Sequence, residues 1–376
     1  MDNQTRTIGA QTGILPDEQI AGLLGDHFIR IGKPLDPDQI QPASLDLRLG
    51  AVAYRVRASF LPGPERTVAE RLDSVKLHEI ALSDGAVLEV GCVYIIPLLE
   101  SLRLPEGVFA SANPKSSTGR LDIFTRLICD RSREFDSVQP GYQGPLYLEV
   151  SPRTFPVVVR TGSRLNQIRF RDGPSVISDE ALQQLHETET LVAAAKPYIT
   201  NGIALSIDLK GDSAGLVGYR GKRHTGVIDV DRKNAHDVRH FWEPIYADRS
   251  GPEPGSIVLD PDQFYILVSN EAVHVPPDYA AEMVPFDPLV GEFRVHYAGF
   301  FDPGFGHSAV GGMGSRAVLE VRSHEVPFIL EHGQTVGRLV YERMLERPKA
   351  LYGEIRTSNY QGQGLKLSKH FRAVDG

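Results

Sequence analysis

The stretch Leu88–Glu106, which reads LEVGCVYIIPLLESLRLPE, returns later in the chain as Leu259–Pro277, which reads LDPDQFYILVSNEAVHVPP. Identical residues in the two stretches keep a constant offset of 171 positions: Tyr94 and Tyr265, Glu100 and Glu271, Pro105 and Pro276. The same offset holds further along, where Leu148-Glu149-Val150 matches Leu319-Glu320-Val321. A constant offset over several anchors indicates a tandem duplication, with a period far too long for a solenoid.

Both copies consist largely of short runs that alternate apolar and polar residues and are bounded by Gly and Pro. The chain contains 36 Gly and 26 Pro, and helical periodicity is scarce. This pattern predicts a mainly β protein with an antiparallel sandwich or barrel in each copy. An earlier element, Ser44–Gly50, is echoed by Ser206–Gly211 at an offset of 162.

Two segments carry a helical pattern. Asp17 to Ile31 has apolar residues at helical spacing, and Ser178 to Ala195 lies between the copies, where it is expected to form a linker helix. Residues up to about Thr12 are expected to be a disordered start.

Composition limits the classes of function. The 376 residues are 41% hydrophobic and 23% charged, as in an ordinary globular protein large enough for two domains. A net charge of -8 argues against a nucleic-acid polymer as partner, although a single nucleotide needs only a few local cations. No signal-peptide core or membrane-length apolar run is present, so a cytoplasmic protein without a membrane partner is expected. Cys92 and Cys129 are expected to be free thiols.

One polar stretch has the chemistry of a phosphate site. Pro114–Arg120 reads PKSSTGR, which offers two cations and three hydroxyls around a glycine. Each residue alone would fit an ordinary polar turn. In the second copy the aligned residues read Met283-Val284-Pro285-Phe286-Asp287-Pro288, and Gly291 stands in place of Arg120. Because a turn needed only for folding would keep similar chemistry in both copies, we interpret the first set as functional.

A single carboxylate, Glu149, lies within an otherwise apolar strand. The sequence allows two interpretations of this residue. A carboxylate held among apolar side chains has a raised pKa and can transfer protons near neutrality. Alternatively, Glu149 is structural, because Glu320 occupies the matching position of the second copy. If Glu149 is functional, Glu320 is expected to be a relic.

The motifs of other nucleotide enzymes are missing from the sequence. Zinc nucleobase deaminases carry His-x-Glu and Pro-Cys-x-x-Cys, and neither pattern occurs. There is no Walker-type loop. His307, His324 and His332 lack the spacing of metal ligands, so no metal site is predicted.

Taken together, the motifs resemble those of the dCTP deaminases of the dUTPase superfamily. The resemblance runs from Leu45–Gly50 through Lys115–Arg120 to Pro140–Gly144 and Leu148-Glu149. It resumes near the C-terminus, where the family has Tyr, Lys and Gln at spacings of seven and four. The chain has Tyr352, Asn359 and Gln363 there. The whole sequence looks like the long, duplicated bacterial form of this family.

The resemblance implies a fold and an assembly. The fold would be two tandem dUTPase-like distorted β-barrels, with a catalytic barrel at 1–175 and a degenerate one at 201–345. A helical linker would occupy 176–200, and a tail or lid 346–376. The assembly would be a homotrimer with active sites between subunits, in which six barrels mimic two stacked trimers.

The resemblance also implies a reaction, the hydrolytic removal of the 4-amino group of dCTP to give dUTP and ammonia, without zinc. Mg²⁺ would be carried with the triphosphate. The implied catalytic residues are Glu149 as general base, with Ser116 and Arg120. The implied substrate-binding residues are Lys115, Ser117, Thr118, Gly119, Gln139, Tyr147, Leu148, Tyr352, Asn359 and Gln363.

Three departures from the family pattern stand out. Gln139 replaces an Asp that contacts the sugar 3′-hydroxyl, and Asn359 replaces the tail Lys, for which Lys366 or Lys369 could substitute. The segment between Arg120 and Gln139 is longer than in the short enzymes. Separately, Gly226–Asp231 resembles the catalytic-Asp motif of dUTPases but lacks its Tyr-Arg-Gly continuation, and we interpret that match as chance.

Two alternatives remain open at this point. One is a bifunctional enzyme that also cleaves dUTP to dUMP and pyrophosphate. The other is a non-catalytic nucleotide-binding protein of the same fold.

Overall fold

The chain is mainly β, as the sequence predicts. The computed structural model describes residues 12–194, 197–247, 255–285, 293–295, 299–323, 325–354, 362 and 364–372.

The first half holds the following strands: β1 (Gly13–Ile14), β2 (Ile29–Ile31), β3 (Ile40–Gln41), β4 (Ser44–Arg48), β5 (Val52–Val56), β6 (Lys76–Ala81), β7 (Ala86–Leu88), β8 (Val93–Arg103), β9 (Val108–Pro114), β10 (Ile123–Cys129), β11 (Ser137–Val138), β12 (Gln143–Pro152), β13 (Val157–Val159) and β14 (Arg164–Asp172). Its helices are α1 (Asp17–Gly25), α2 (Val68–Val75) and α3 (Ser116–Gly119).

Helix α4 (Asp179–Thr188) leads into the second half. The strands there are β15 (Ile203–Ser206), β16 (Leu216–Gly221), β17 (Ile228–Asp229), β18 (Trp242–Tyr246), β19 (Ser256–Leu259), β20 (Phe264–Val273), β21 (Tyr279–Pro285), β22 (Phe293–Val295), β23 (Phe300–Phe301), β24 (Ser315–Ser323), β25 (Phe328–Glu331) and β26 (Thr335–Arg343). Helix α5 (Val238–Phe241) precedes β18, and a short 3₁₀ helix spans Ser308–Val310.

Each half packs two antiparallel sheets face to face. In the first half, the order β11-β9-β14-β4-β3 faces the order β10-β12-β8-β5-β6. Alternate side chains of both sheets, such as Leu45, Phe170 and Leu146, point inward and form one core. In the second half, β15-β26-β21-β23 faces β18-β16-β20-β24-β22 over a separate core.

Equivalent contacts at an offset of 171 confirm the duplication. Glu149 pairs with Ile95 between β12 and β8, and Glu320 pairs with Ile266 between β24 and β20. The Tyr94 hydroxyl accepts a hydrogen bond from the Glu89 amide at 3.1 Å. The Tyr265 hydroxyl accepts one from the Asp260 amide at 3.0 Å.

The predicted alignment of Ser44–Gly50 with Ser206–Gly211 is wrong by four residues. Leu45 pairs with Ile168, whereas Ile203 pairs with Leu339, so the offset of this strand is 158. Sequence similarity between SLDLRLG and SIDLKG therefore misled the alignment. The structural counterpart of Asp46 is Ala204 rather than Asp208.

The helices differ in part from the prediction. Helix α1 ends at Gly25 rather than at Ile31, because the chain turns at His27, whose φ is +60°, and Ile29–Ile31 then pairs with β8. Helix α4 begins after Ser178 as expected, since its hydroxyl caps the Ala181 amide, and it ends at Thr188. Helix α2 was not predicted, although Thr67 and Glu70 form a capping box at its start.

Corresponding strand pairs enclose a different excursion in each half. Tyr54 pairs with Glu79 across β5 and β6, and Tyr219 pairs with Pro244 across β16 and β18. We call residues 57–75 the first excursion and residues 222–241 the second excursion. The first carries α2, and the second carries β17 and α5.

Buried ion pairs join the two halves. Arg171 on β14 donates to both carboxylate oxygens of Glu342 on β26, at 2.6 and 2.8 Å. Arg169, which is fully buried, contacts Asp302 at 3.2 Å and the ring of Phe300 at 4.0 Å. Charges removed from water in this way need fixed partners, so these contacts define how the halves fit together.

Candidate active site

The stretch Pro114–Arg120 forms a tight turn between β9 and β10. After Pro114 the chain enters α3, where the Thr118 and Gly119 amides donate to the Lys115 carbonyl at 2.8 and 3.0 Å. This turn leaves Lys115 and Ser116 partly exposed and buries Ser117, Thr118, Gly119 and Arg120. Lys115 forms a close ion pair with Asp46 on β4.

Lys115, Ser116 and Arg120 line a cavity whose opposite wall comes from the second half. We call it the inner cavity. Its second-half wall and C-terminal lining comprise Met283, Gly299, Phe300, Phe301, Asp302, Phe305, Val318, Glu320 and Tyr352. Its empty volume is about 590 Å³, the open mouth included.

Glu320 is the carboxylate that faces Arg120. Its Oε1 atom lies 3.8 Å from Arg120 Nε, and both side chains are buried. Burial raises the pKa of Glu320 to about 7, and the Arg120 guanidinium opposes that shift. A carboxyl group with this pKa exchanges a proton near neutral pH.

Asp302 is a second carboxylate in the inner cavity, and it occupies the place that Gln139 has in the first half. Ser137 pairs with Ser111 on β9, and Phe300 pairs with Glu282 on β21, which aligns Gln139 with Asp302. Burial raises the pKa of Asp302, whereas the nearby Arg169 lowers it.

Within one chain, the fold does not bring Glu149 together with Ser116 and Arg120. Glu149 is buried elsewhere and accepts hydrogen bonds from Arg126, at 2.8 and 3.1 Å, and from the Ser59 hydroxyl. Arg126 in turn lies 3.6 Å from the centre of the Phe135 ring. Glu149 is therefore already bonded to residues of its own half, beneath the first excursion.

The other first-half residues predicted with Glu149 also lie away from the inner cavity. Tyr147 packs on the small apolar cluster beneath α2, and Leu148 lies in a buried core. Gln139 is exposed, and its amide donates to Ser137 at 3.1 Å. Their counterparts in the second half are Val318, Leu319 and Asp302, of which Val318 and Asp302 line the inner cavity.

Sequence reasoning missed Glu320 and Asp302 as candidate functional residues. The signal was present in the comparison of the copies. The first half keeps the phosphate-type side chains, and the second half keeps a Glu and an Asp at the carboxylate positions. Complementary losses of this kind indicate one site shared by two copies.

The C-terminal segment lies over the same site. Tyr352 lines the inner cavity, its amide donates to the Pro303 carbonyl at 2.8 Å, and its ring centre lies 5.6 Å from that of Phe305. Arg120 Nη1 donates to the Lys366 carbonyl at 3.0 Å, and the Ser368 hydroxyl donates to the Ser117 carbonyl at 2.8 Å. Asn359 and Gln363 lie outside the described residues.

A second cavity opens directly from the first, and we call it the outer cavity. The two share Lys115, Ser116, Phe300, Asp302 and Tyr352. The outer cavity has an empty volume of about 980 Å³ with its mouth. Its basic side chains come from four separate parts of the chain: Lys115, Arg164, Lys233 and Lys369.

Searches for metal and membrane features were confined to the described residues. They contain no group of three or more His, Cys, Asp or Glu side chains placed to hold a metal ion. None of their helices has the length and apolarity needed to cross a membrane. Cys92 and Cys129 are free, and burial raises the pKa of Cys129 to about 12.

Comparison with models of protein families shows the family to which the chain belongs. Residues 11–174 match the model of the N-terminal domain of 2′-deoxycytidine 5′-triphosphate deaminase, and residues 178–371 match that of its C-terminal domain. The chain belongs to the dCTP deaminase family. The resemblance predicted from the motifs is thereby confirmed, including the expectation of an enzyme.

Individual dCTP deaminases agree with this assignment. A crystal structure of the enzyme from Agrobacterium tumefaciens is 66% identical, with a TM-score of 0.85, and the match covers 90% of this chain and 100% of that one. The dCTP deaminase of Natronomonas pharaonis is 33% identical over 168 residues, 42% of this chain and 80% of that protein. A Coprothermobacter proteolyticus protein named "dCTP deaminase, dUMP-forming" is 30% identical over 160 residues, 42% of this chain and 81% of that one.

Proposed function

We propose that the chain hydrolyses dCTP to dUTP and ammonia in the inner cavity, with catalytic groups drawn from both halves. The observation that carries this proposal is the meeting of Arg120, from the first half, with Glu320, from the second, in one buried cavity. In this account Glu320, rather than Glu149, is the general base.

The chemistry follows from a carboxylate whose pKa lies near neutrality. Ionised Glu320 accepts a proton from a water molecule as the water oxygen bonds to C4 of the cytosine ring. Protonated Glu320 then returns a proton to the substrate, and the N3 position is protonated in the intermediate. As the C4–N4 bond breaks, the proton of the new C4 hydroxyl passes to N4, the C4 carbonyl forms and N4 leaves as ammonia, so one water is consumed for each ammonia released.

Other residues of the inner cavity position the reactants. The Arg120 guanidinium keeps part of the Glu320 population ionised at neutral pH, and it orients the carboxylate. The Ser116 hydroxyl can donate to the attacking oxygen. Asp302 is placed to accept from the sugar 3′-hydroxyl, which removes the difficulty that Gln139 posed for sugar recognition. The backbone of Val318 and Leu319 would then read the pyrimidine edge.

The triphosphate extends toward Lys115 and Ser117, which both line the outer cavity. Cations and hydroxyls of this kind form hydrogen bonds with phosphate oxygens. Mg²⁺ suits the oxygen-rich outer cavity, where Asp38 and Asp46 are hard donors. Both carboxylates already contact Arg164, so the triphosphate itself would supply most ligands of an accompanying ion.

The proposed deamination does not use zinc. Its supporting observation is in the sequence, which lacks both zinc-ligand motifs of the nucleobase deaminases. Activity is therefore expected to survive dialysis against a zinc-selective chelator when Mg²⁺ is supplied, and loss of activity that only zinc restores would contradict this.

Product analysis tests the reaction itself. After incubation with dCTP and Mg²⁺, equal amounts of dUTP and ammonia are expected. A second candidate is a bifunctional enzyme that also cleaves dUTP to dUMP and pyrophosphate. The relative from Coprothermobacter proteolyticus that is named dUMP-forming favours it. Formation of dUMP and pyrophosphate would select that reading. Absence of any product would favour the non-catalytic nucleotide-binding alternative.

We also propose that each half is a dUTPase-like distorted barrel and that the chains associate as homotrimers of six barrels. The pseudo-symmetry of the two halves supports this assembly. The inner cavity has walls from both halves of one chain, so the trimer is not needed to complete it. Light scattering is expected to give three times the chain mass, and a monomer would contradict the assembly without affecting the site.

A further inference from the structure

The second excursion, 222–241, has a task that the first excursion does not share. The first closes over Glu149 in its own half, where Ser59 bonds to that carboxylate. The second instead crosses to the first half, where β17 pairs in parallel with β13. Asp229 receives two hydrogen bonds from Arg160, at 2.8 and 2.9 Å, and Asp231 receives one from Ser163 at 2.7 Å. The Gly226–Asp231 stretch therefore holds the second excursion against the first half.

The C-terminal segment is attached to this anchored excursion by its backbone. The Asn234 amide donates to the Lys369 carbonyl at 3.0 Å, and the Ala235 amide donates to the His370 carbonyl at 2.9 Å. His370 Nε2 also lies 2.8 Å from the Val230 carbonyl. Residues 230–236 and 368–372 therefore form a single wall, which Ser368 ties to Ser117 in the phosphate-type turn.

That wall carries two lysines into the outer cavity, Lys233 and Lys369. Lys233 forms no ion pair with any residue that the structure describes. Lys369 is partly buried, and its pKa falls to about 8, first because of burial and then because of the neighbouring Lys115 and Lys233. The carboxylates that line the outer cavity, Asp38, Asp46, Asp231 and Asp302, already pair with Arg164, Lys115, Arg160 and Arg169. The mutual repulsion of Lys115, Lys233 and Lys369 therefore favours a polyanion beside them.

The position of the wall matches one part of the nucleotide. The base end of the inner cavity is marked by Glu320 and the sugar by Asp302, and the outer cavity continues beyond Asp302 and Lys115. This placement of the nucleotide rests on the proposed function. The outermost groups of a dCTP molecule so placed are its β- and γ-phosphates.

We propose that Lys233 and Lys369 bind the terminal phosphates of the substrate and make the enzyme selective for nucleoside triphosphates. One lysine comes from an excursion of the second half and the other from the C-terminal segment, so selectivity depends on the wall that joins them.

The test compares Lys233→Met, Lys369→Met and the matched control Lys222→Met. Lys222 belongs to the same excursion but is exposed and lines neither cavity. Binding of inorganic tripolyphosphate is measured by calorimetry, and KM for dCTP and the inhibition constant of dCMP by kinetics. Loss of a charge-assisted contact is expected to raise the tripolyphosphate dissociation constant and the dCTP KM about tenfold each.

The inhibition constant of dCMP, which lacks terminal phosphates, is expected to change little. Lys369→Arg keeps the charge and is expected to retain tripolyphosphate binding, which controls for folding. Unchanged tripolyphosphate binding in both Met variants would overturn the inference, and so would equal losses for dCMP and dCTP. Because the calorimetry needs no turnover, the inference can fail or stand independently of the proposed deamination.

Discussion

At the scale of single residues, each half contributes a different part of one site. The first half retains Lys115, Ser116 and Arg120, whereas the aligned positions of the second half hold Phe286, Asp287 and Gly291. The second half has Asp302 at the position that aligns with Gln139. Both halves retain the glutamate, but Glu149 is bonded to Arg126 and Ser59, while Glu320 faces the cavity. The surviving residues make one working set.

The raised pKa of Glu320 gives a prediction for pH dependence. A general base acts in its ionised form, and that fraction grows as pH rises through the pKa, about 7 for Glu320. We therefore expect kcat/KM for dCTP to fall about tenfold for each unit of pH below that value. Steady-state kinetics at constant ionic strength measures this, and a flat profile between about pH 5 and about pH 7 would contradict it.

The sequence could identify the chemistry but not its grouping. The residue types in Pro114–Arg120 indicate a phosphate site, and the apolar residues around a strand Glu indicate a buried carboxylate. Which glutamate contacts Arg120 depends on how the two halves pack. An alignment of the two copies contains no information about that packing. The asymmetry between the copies is visible in the sequence and predicts one silent copy, whereas the packing brings residues of both copies to one cavity.

At the scale of elements, strand β14 contributes several charged contacts between the halves. Arg169 and Arg171 on it meet Asp302, Glu282 and Glu342 from the second half. Asp302 is thus held by the same strand that joins the halves. Correct packing of β14 against β26 is therefore a condition for the site.

The variant Glu342→Gln tests that contact. It would leave the buried guanidinium of Arg171 without its bidentate partner, and removing one member of a buried pair costs about 3–5 kcal/mol. Urea unfolding is expected to show a loss of this size. Glu243→Gln, which removes an exposed pair with Arg220, is the matched control and should cost no more than about 1 kcal/mol. Equal effects of the two variants would contradict the role of β14.

Elements were predictable where local signals were strong and unreliable where two signals competed. The start of α4 at Ser178 and the alternating strands followed from local pattern. Helix α1 was overextended, because apolar spacing continued past Gly25 although the chain turns at His27. The four-residue error between Ser44–Gly50 and its echo arose because a similar string of letters competed with strand register.

At the scale of the whole molecule, the two aligned glutamates have different surroundings. One interface joins Arg120 to Glu320 and keeps an open cavity. The aligned glutamate of the other copy is covered by Ser59, Arg126 and the first excursion. A single chain therefore contains one proposed site rather than two.

Mixing inactive chains tests whether that site lies within one chain. Arg120→Ala and Glu320→Gln are each expected to abolish turnover, and co-expression of the two variants should restore none of it. Recovery of a substantial fraction of activity in mixed assemblies would mean that Arg120 of one chain serves Glu320 of another. Wild-type chains co-expressed with either variant provide the reference.

The choice between the two glutamates is the most direct test of the central claim. Single-turnover measurement of ammonia release from dCTP should show Glu320→Gln slowed by about 10²–10⁴-fold with dCTP still bound. Burial penalises the ionised form of Glu320 above its unfolded pKa, so the Gln variant should be at least as stable as wild type at about pH 8. Glu149→Gln should retain most of the turnover. Full activity of Glu320→Gln together with loss in Glu149→Gln would contradict the composite site.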